Sequence, residues 1–171
     1  MEKALLQWCR GFCDAARSFI DVGAGLGEVS IPLAPYFQVV HAFDADWKTY
    51  LKLCGSVATK ETWNIVPHFV KLDRDFQALD VWGIQHVGFL RFNVPLDTLE
   101  TILRGAHSTL QQSQYPPFII ESWHFVTDNE SLSSYIQKEL GYRLVPLVGF
   151  PYITLATFAT TTTTISPLLH P

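Results

Sequence analysis

Three glycines at alternate positions, Gly23, Gly25 and Gly27, follow the apolar run Ser18-Phe19-Ile20-Asp21-Val22 and precede a segment with helical patterning. Glycine lets the backbone turn sharply and lets a ligand approach where a Cβ would collide. A ligand is therefore expected above the loop Asp21-Val22-Gly23-Ala24-Gly25-Leu26-Gly27. The spacing is GxGxG, its third glycine one position earlier than in the GxGxxG fingerprint of a dinucleotide site. Asp21 ends the strand, and a carboxylate there accepts hydrogen bonds from loop amides or attracts the ammonium of a methionine moiety. These features favour S-adenosylmethionine over a nicotinamide dinucleotide. They put Asp21, Gly23, Ala24, Gly25 and Gly27 in the cofactor site.

A second acid closes the next apolar run, in Ala42-Phe43-Asp44-Ala45-Asp46, seventeen positions after Gly27. An acid there is placed to hydrogen-bond both hydroxyls of a ribose, and Asp44 is the better candidate. Asp46 has two readings of equal standing, a ligand contact or the cap of the helix that follows. Asp73 is either a partner for an adenine amino group or a solvated loop acid. Methyl transfer needs a well-placed nucleophile and, for a hydroxyl acceptor, a base tuned near neutrality. The candidates are Asn93, Glu121, Trp123 and His124, which follow the fourth and fifth strand-like runs, where α/β crevices collect functional groups. His124 is the natural base with Glu121 as its orienter, although an exposed loop histidine without a role fits equally well. Trp123 is read first as a packing residue and second as a stacking platform.

The elements that must hold these residues alternate. Residues 1 to about 17 have the three- and four-residue apolar spacing of an amphipathic helix. Ser18 to Val22, Gln38 to Phe43, Asn64 to Val70, His86 to Phe92 and Phe118 to Ser122 read as strands. Helical segments follow them over Glu28 to Tyr36, Ala45 to Ala58, Leu96 to Leu110 and Ser131 to Leu140, the last ended by Gly141. Pro67 suits an edge strand. Alternation of this kind implies a mostly parallel sheet with helices on both faces. Tyr142 to Val148 and Tyr152 to Phe158 read instead as an antiparallel pair at the sheet's margin, joined by Gly149-Phe150-Pro151.

With 171 residues, 48% of them hydrophobic and 16% charged, the chain has the composition of one globular domain, expected over residues 1–159. The threonine-rich stretch 160–171 is expected to be a poorly ordered tail. A formal net charge of -4 disfavours nucleic acid as a partner. Cys9 and Cys13, four apart on one helix face, read as core residues before metal ligands, and no metal is expected. The N-terminus resembles neither a signal peptide nor a membrane span, so a cytoplasmic location and no membrane partner are expected.

Phe19-Ile20-Asp21-Val22-Gly23-Ala24-Gly25-Leu26-Gly27 followed by His41-Ala42-Phe43-Asp44 resembles the opening of the FkbM-type methyltransferase family. Asn64-Ile65-Val66, Ala78-Leu79-Asp80, Phe89-Leu90-Arg91-Phe92, Ile102-Leu103-Arg104-Gly105-Ala106, Pro117-Phe118-Ile119-Ile120-Glu121 and Leu140-Gly141-Tyr142 continue the likeness in order and approximate spacing. The resemblance implies a Rossmann-like methyltransferase fold, an α/β architecture with a seven-stranded, mostly parallel sheet, one antiparallel strand and helices on both faces. It also implies methyl transfer from S-adenosylmethionine to a hydroxyl of a sugar or another small molecule. One departure bears on catalysis. Where the family has Lys-x-Asp-x-Glu-Gly-x-Glu, this chain reads Arg91-Phe92-Asn93-Val94-Pro95-Leu96-Asp97-Thr98, with Asn93 in place of the aspartate. A methyltransferase fold that binds cofactor or a protein partner without catalysis is therefore the rival expectation.

Overall fold

The computed structural model describes residues 3–70, 78–122, 125 and 129–158. Seven strands form one sheet: β1 (Ser18–Val22), β2 (Val39–Asp44), β3 (Ile65–Phe69), β4 (Val87–Phe92), β5 (Phe118–Glu121), β6 (Tyr142–Leu147) and β7 (Phe150–Phe158). Their spatial order is β3-β2-β1-β4-β5-β7-β6. Only β7 runs antiparallel to its neighbours, so the expected seven-stranded sheet with one reversed strand is present. The strand order reverses between β1, which pairs with β2, and β4, on its other side. In open α/β sheets this switch point opens a crevice at the carboxyl ends of the strands.

Every residue of β1 is buried, as befits a strand covered on both faces. Alternation divides the core in two. Ile20, Val22, Leu90, Phe92, Phe118 and Ile120 face a cluster completed by α4 (Leu96–Arg104), α5 (His107–Gln112) and α6 (Glu130–Ser134). Phe19, Phe89 and Ile119 face the other cluster, formed with α1 (Lys3–Cys9), α2 (Ser30–Leu33) and α3 (Trp47–Thr59).

The helices are shorter than sequence periodicity suggests. α1 tightens into a 3-10 turn over Arg10–Phe12 and ends, and the Asp14 carboxylate then accepts from the Ala16 amide at 2.9 Å, fixing a turn. The helical segment from Leu96 is broken at Gly105. The Asp80 carboxylate, from a distant 3-10 helix over Leu79–Trp82, accepts from the amides of Ser108 (3.0 Å) and Thr109 (2.7 Å) and so caps α5 separately. A Cβ at Gly105 would also lie 2.7 Å from that of Ala78. α6 widens into a π-helical turn over Tyr135–Glu139, and Gly141 follows in the left-handed region.

Sheet margins follow the expected logic with one change. Val40 donates to the carbonyl of Asn64 and Val70 to that of Asp44, so the even-numbered residues of β3 face β2. Pro67 therefore turns its missing N–H toward the open edge, where no partner strand needs it. The β6–β7 turn is Val148-Gly149, with Leu147 opposite Phe150, so Phe150 and Pro151 belong to β7 and not to the turn as expected. Gly149, with φ +85°, supplies the conformation that a two-residue hairpin requires. No described helix is long and apolar enough to cross a membrane.

On β2 and β3, His41 Nδ1 lies 3.1 Å from His68 Nε2, one ring donating and the other accepting. Burial and then the neighbouring His68 lower the pKa of His41 to about 4, and burial lowers that of His68. A histidine whose folded pKa lies below its unfolded value of about 6.5 resists protonation only when folded. Its contribution to stability is complete above pH 6.5 and is lost as pH falls toward 4. Replacing both rings by His41→Gln and His68→Gln should flatten this part of the pH profile. Urea midpoints at pH 7 and pH 4.5 check it: the wild type should lose about 2 kcal/mol more than the variant, after discounting for partial exposure. Equal losses would remove the pair as the cause.

Candidate functional site

The loop after β1 is held down by the end of β2. Gly23 and Ala24 donate their amides to the carbonyl of Phe43 at 2.9 and 3.0 Å, and Gly25 donates to Asp44 Oδ2 at 2.9 Å. Three successive amides are thus engaged within the protein and not turned toward a ligand phosphate. The glycines at 23, 25 and 27 all have positive φ, 75°, 59° and 84°. Their surroundings differ. A Cβ on Gly23 would collide with the carbonyl oxygen of Asn93, and one on Gly27 would meet Ile31 and Leu53 at 2.8 Å. Gly25 has nothing within 4 Å of where its Cβ would stand, so it presents bare backbone to open space.

Above the carboxyl ends of β1, β2 and β4 lies a cavity of about 460 Å³. Val22, Gly23, Phe43, Asp44, Ala45, Asp46, Val70, Asn93, Val94, Pro95 and Thr98 line it. Its described wall is mostly apolar, and its only charged side chains are the two aspartates. Asp44 accepts from Gly25 through Oδ2 and from the Asp46 amide, at 2.9 Å, through Oδ1. Each oxygen keeps a further lone pair for a ligand hydroxyl. Asp46 caps α3, accepting from the amide and hydroxyl of Thr49 at 2.7 and 2.8 Å, while also standing on the cavity wall. These hydrogen bonds to the charged form, first of all the one from the Thr49 amide, hold its carboxyl below the usual range.

Behind this wall, Arg91 of β4 bridges the neighbouring strands. Its Nε and Nη2 form a fork on Glu121 of β5 at 2.6 and 2.9 Å, and its Nη1 donates to Asp21 of β1 at 2.6 Å. Asp21 takes its remaining hydrogen bond from the Ser30 hydroxyl at 2.6 Å. Burial works against the Arg91 charge, but the two carboxylates more than reverse it and raise the pKa further. Nearby Cys9 is pushed up to about 12, chiefly by burial, so its thiol is neutral and no nucleophile.

The sequence-stated candidates thus separate. Gly23 and Asp44 line the cavity, with Gly25 bound to Asp44 beside it. Asp21 is fully buried beneath the loop, with its carboxylate on Arg91 and Ser30 where the expected partners were loop amides or an ammonium. Asn93 lies on the cavity wall, and its backbone N–H donates to the carbonyl of Val22 at 2.9 Å. Glu121, expected to orient His124, has both oxygens on Arg91. Asp73, Trp123 and His124 lie outside the described residues. Arg91 is the residue that motif spacing does not single out. Its signal in the sequence is a lone charge inside the apolar strand Val87–Phe92. Among the described residues, no group of three or more His, Cys, Asp or Glu side chains is placed to hold a metal ion.

No family model matches the chain, and no curated protein matches it in sequence. Solved structures do match. A Streptococcus mutans protein in complex with S-adenosylhomocysteine superposes with a TM-score of 0.68 at 11% identity, covering 90% of this chain and 95% of that one. Precorrin-6y C5,15-methyltransferase from Geobacter metallireducens gives 0.68 at 13%, covering 91% and 87%. An rRNA methylase from Streptococcus thermophilus gives 0.64 at 14%, covering 91% and 95%. The chain has the Rossmann-like fold of S-adenosylmethionine-dependent methyltransferases.

The unequal surroundings of the glycines lead to an expected ranking. Gly23→Ala combines a left-handed φ with a backbone collision and should cost about 3 kcal/mol or more, whereas Gly25→Ala carries the conformational penalty alone, about 1 kcal/mol. Denaturant unfolding of the two variants checks this, and equal costs would contradict the packing of Gly23 on Asn93.

Proposed function

We propose that this protein is an S-adenosylmethionine-dependent methyltransferase acting on a hydroxyl of a small molecule or glycan. The observation that carries the cofactor reading is the acidic, mostly apolar cavity at the switch point, beside a loop whose amides at residues 23 to 25 are already engaged. Such a site suits a cationic nucleoside and penalises the anionic pyrophosphate of a dinucleotide. Asp44 would receive the ribose hydroxyls. Val22, Phe43, Val70 and Val94 would give the adenine an apolar bed, and the open backbone at Gly25 would let the ligand lie close. The bound cofactor would supply the electrophilic methyl group. The chain's own part in transfer is to align an acceptor hydroxyl and remove its proton, a role we assign to His124, with Asn93 on the cavity wall as a hydrogen-bonding partner for the acceptor. Kinship with the FkbM-type family belongs to the same proposal and rests on the residues from Phe19 to Tyr142 that resemble it. Free Cys9, Cys13 and Cys54 support a reducing, cytoplasmic setting.

A second reading is a methyltransferase fold that binds cofactor or a protein partner without catalysis. It is favoured by the segment Asn93-Val94-Pro95, which puts an amide and no carboxylate at the end of β4.

Calorimetric titration with S-adenosylmethionine, S-adenosylhomocysteine and NAD tests the cofactor. The first two should bind and NAD should not; binding of NAD alone would overturn the proposal. Asp44→Ala should weaken S-adenosylmethionine at least about tenfold, roughly 1.4 kcal/mol, and unchanged affinity would remove Asp44 from the site. In a methyl-transfer assay with sugar acceptors, His124→Ala should abolish turnover while cofactor affinity is retained. Activity surviving intact would exclude His124 as the base.

A further inference from the structure

The buried cluster of Asp21, Arg91 and Glu121 does not balance its charge. Two carboxylates face one guanidinium, with side-chain exposures of 0%, 14% and 6% for Asp21, Glu121 and Arg91. No other basic side chain forms an ion pair with either carboxylate among the described residues. Burying ions in a low-dielectric interior is costly, and apolar side chains of similar volume hold a fold together as well or better. An unbalanced cluster at this place therefore calls for a reason beyond stability.

Its position supplies one. The three residues stand at the carboxyl ends of β1, β4 and β5, and Arg91 Nη1 lies 3.4 Å from the carbonyl oxygen of Gly23, a residue of the cavity wall. Two carboxylates and one guanidinium sum to one negative charge, and at side-chain exposures of 0–14% that charge is screened less than one on the surface. Asp44 and Asp46 add charge of the same sign on the wall itself.

We propose that the Asp21–Arg91–Glu121 cluster is a fixed, net-negative seat that makes the site prefer the sulfonium form of its cofactor over the neutral thioether product. The inference rests on the cofactor reading above. S-adenosylmethionine carries a positive charge at sulfur that S-adenosylhomocysteine lacks, and the two otherwise differ only by the methyl group. The seat thus retains the methyl donor and releases the product. Glu121 determines this specificity through its charge, and Arg91 positions both carboxylates without touching the ligand.

The test is titration of the full chain with S-adenosylmethionine, S-adenosylhomocysteine and sinefungin, in which an amine-bearing carbon replaces the sulfonium and the positive charge is kept. Wild type should prefer the two cationic ligands. Glu121→Gln, nearly isosteric but neutral, should weaken both of them by about tenfold and the thioether by less than about threefold. Glu121→Asp, which keeps the charge, should retain the wild-type ratio. If Glu121→Gln weakens all three ligands equally, or leaves the ratio unchanged, the cluster is a structural brace and the proposal falls. If Glu121→Gln does not fold, Asp21→Asn neutralises the same net charge from the other side and gives the same comparison. Wild-type protein that binds none of the three would overturn the cofactor reading itself, an outcome distinct from binding without charge discrimination.

Discussion

Arg91 ties the carboxyl ends of three adjacent parallel strands together, and much of the site follows from that bridge. Its guanidinium is planar and forked, so it grips Glu121 with two parallel hydrogen bonds while a third reaches Asp21. Lysine, with a single ammonium on a flexible stem, would not hold both carboxylates in fixed directions. Asp21 in turn anchors Ser30 at the start of α2. The strand before the glycine loop and the helix after it are thereby fastened to the same buried charge. The loop between them is fixed at both ends before any ligand arrives.

That loop is pre-organised by a second set of contacts. Its amides at residues 23 to 25 are satisfied by β2, and its first glycine packs against the backbone of Asn93 as the chain leaves β4. β1, β2 and β4 therefore meet around one short stretch, and the cavity forms where they meet. Its described wall presents two carboxylates, apolar side chains and the polar side chains of Asn93 and Thr98. The charged side chains of that wall are both carboxylates, and most of the rest of it is apolar.

The same economy governs the margins of the sheet. Pro67 turns its missing donor outward on β3 and blunts that edge against pairing with another strand. On the opposite side the Val148-Gly149 hairpin folds β7 back between β5 and β6, so the one reversed strand arises from a local turn and not from a crossover.

How much of this the sequence itself determined depends on how local the physical cause is. Alternating apolar runs, the positive-φ demand met by Gly23, Gly25 and Gly27, and the acid closing β2 are properties of neighbouring residues, so the α/β fold, the loop and Asp44 were legible in the chain. Asp46 as a helix cap was legible as an alternative for the same reason. Tertiary structure decided what depends on distant groups. Leu96 to Leu110 has one amphipathic pattern, but Asp80 caps its second half and divides it. Asp21 sits in the expected place, yet its carboxylate faces Arg91, seventy residues away along the chain, because β1 and β4 lie in register side by side. Spacing along a sequence reports which residues share a strand or a helix; which charges share a buried site is decided only when the sheet aligns them.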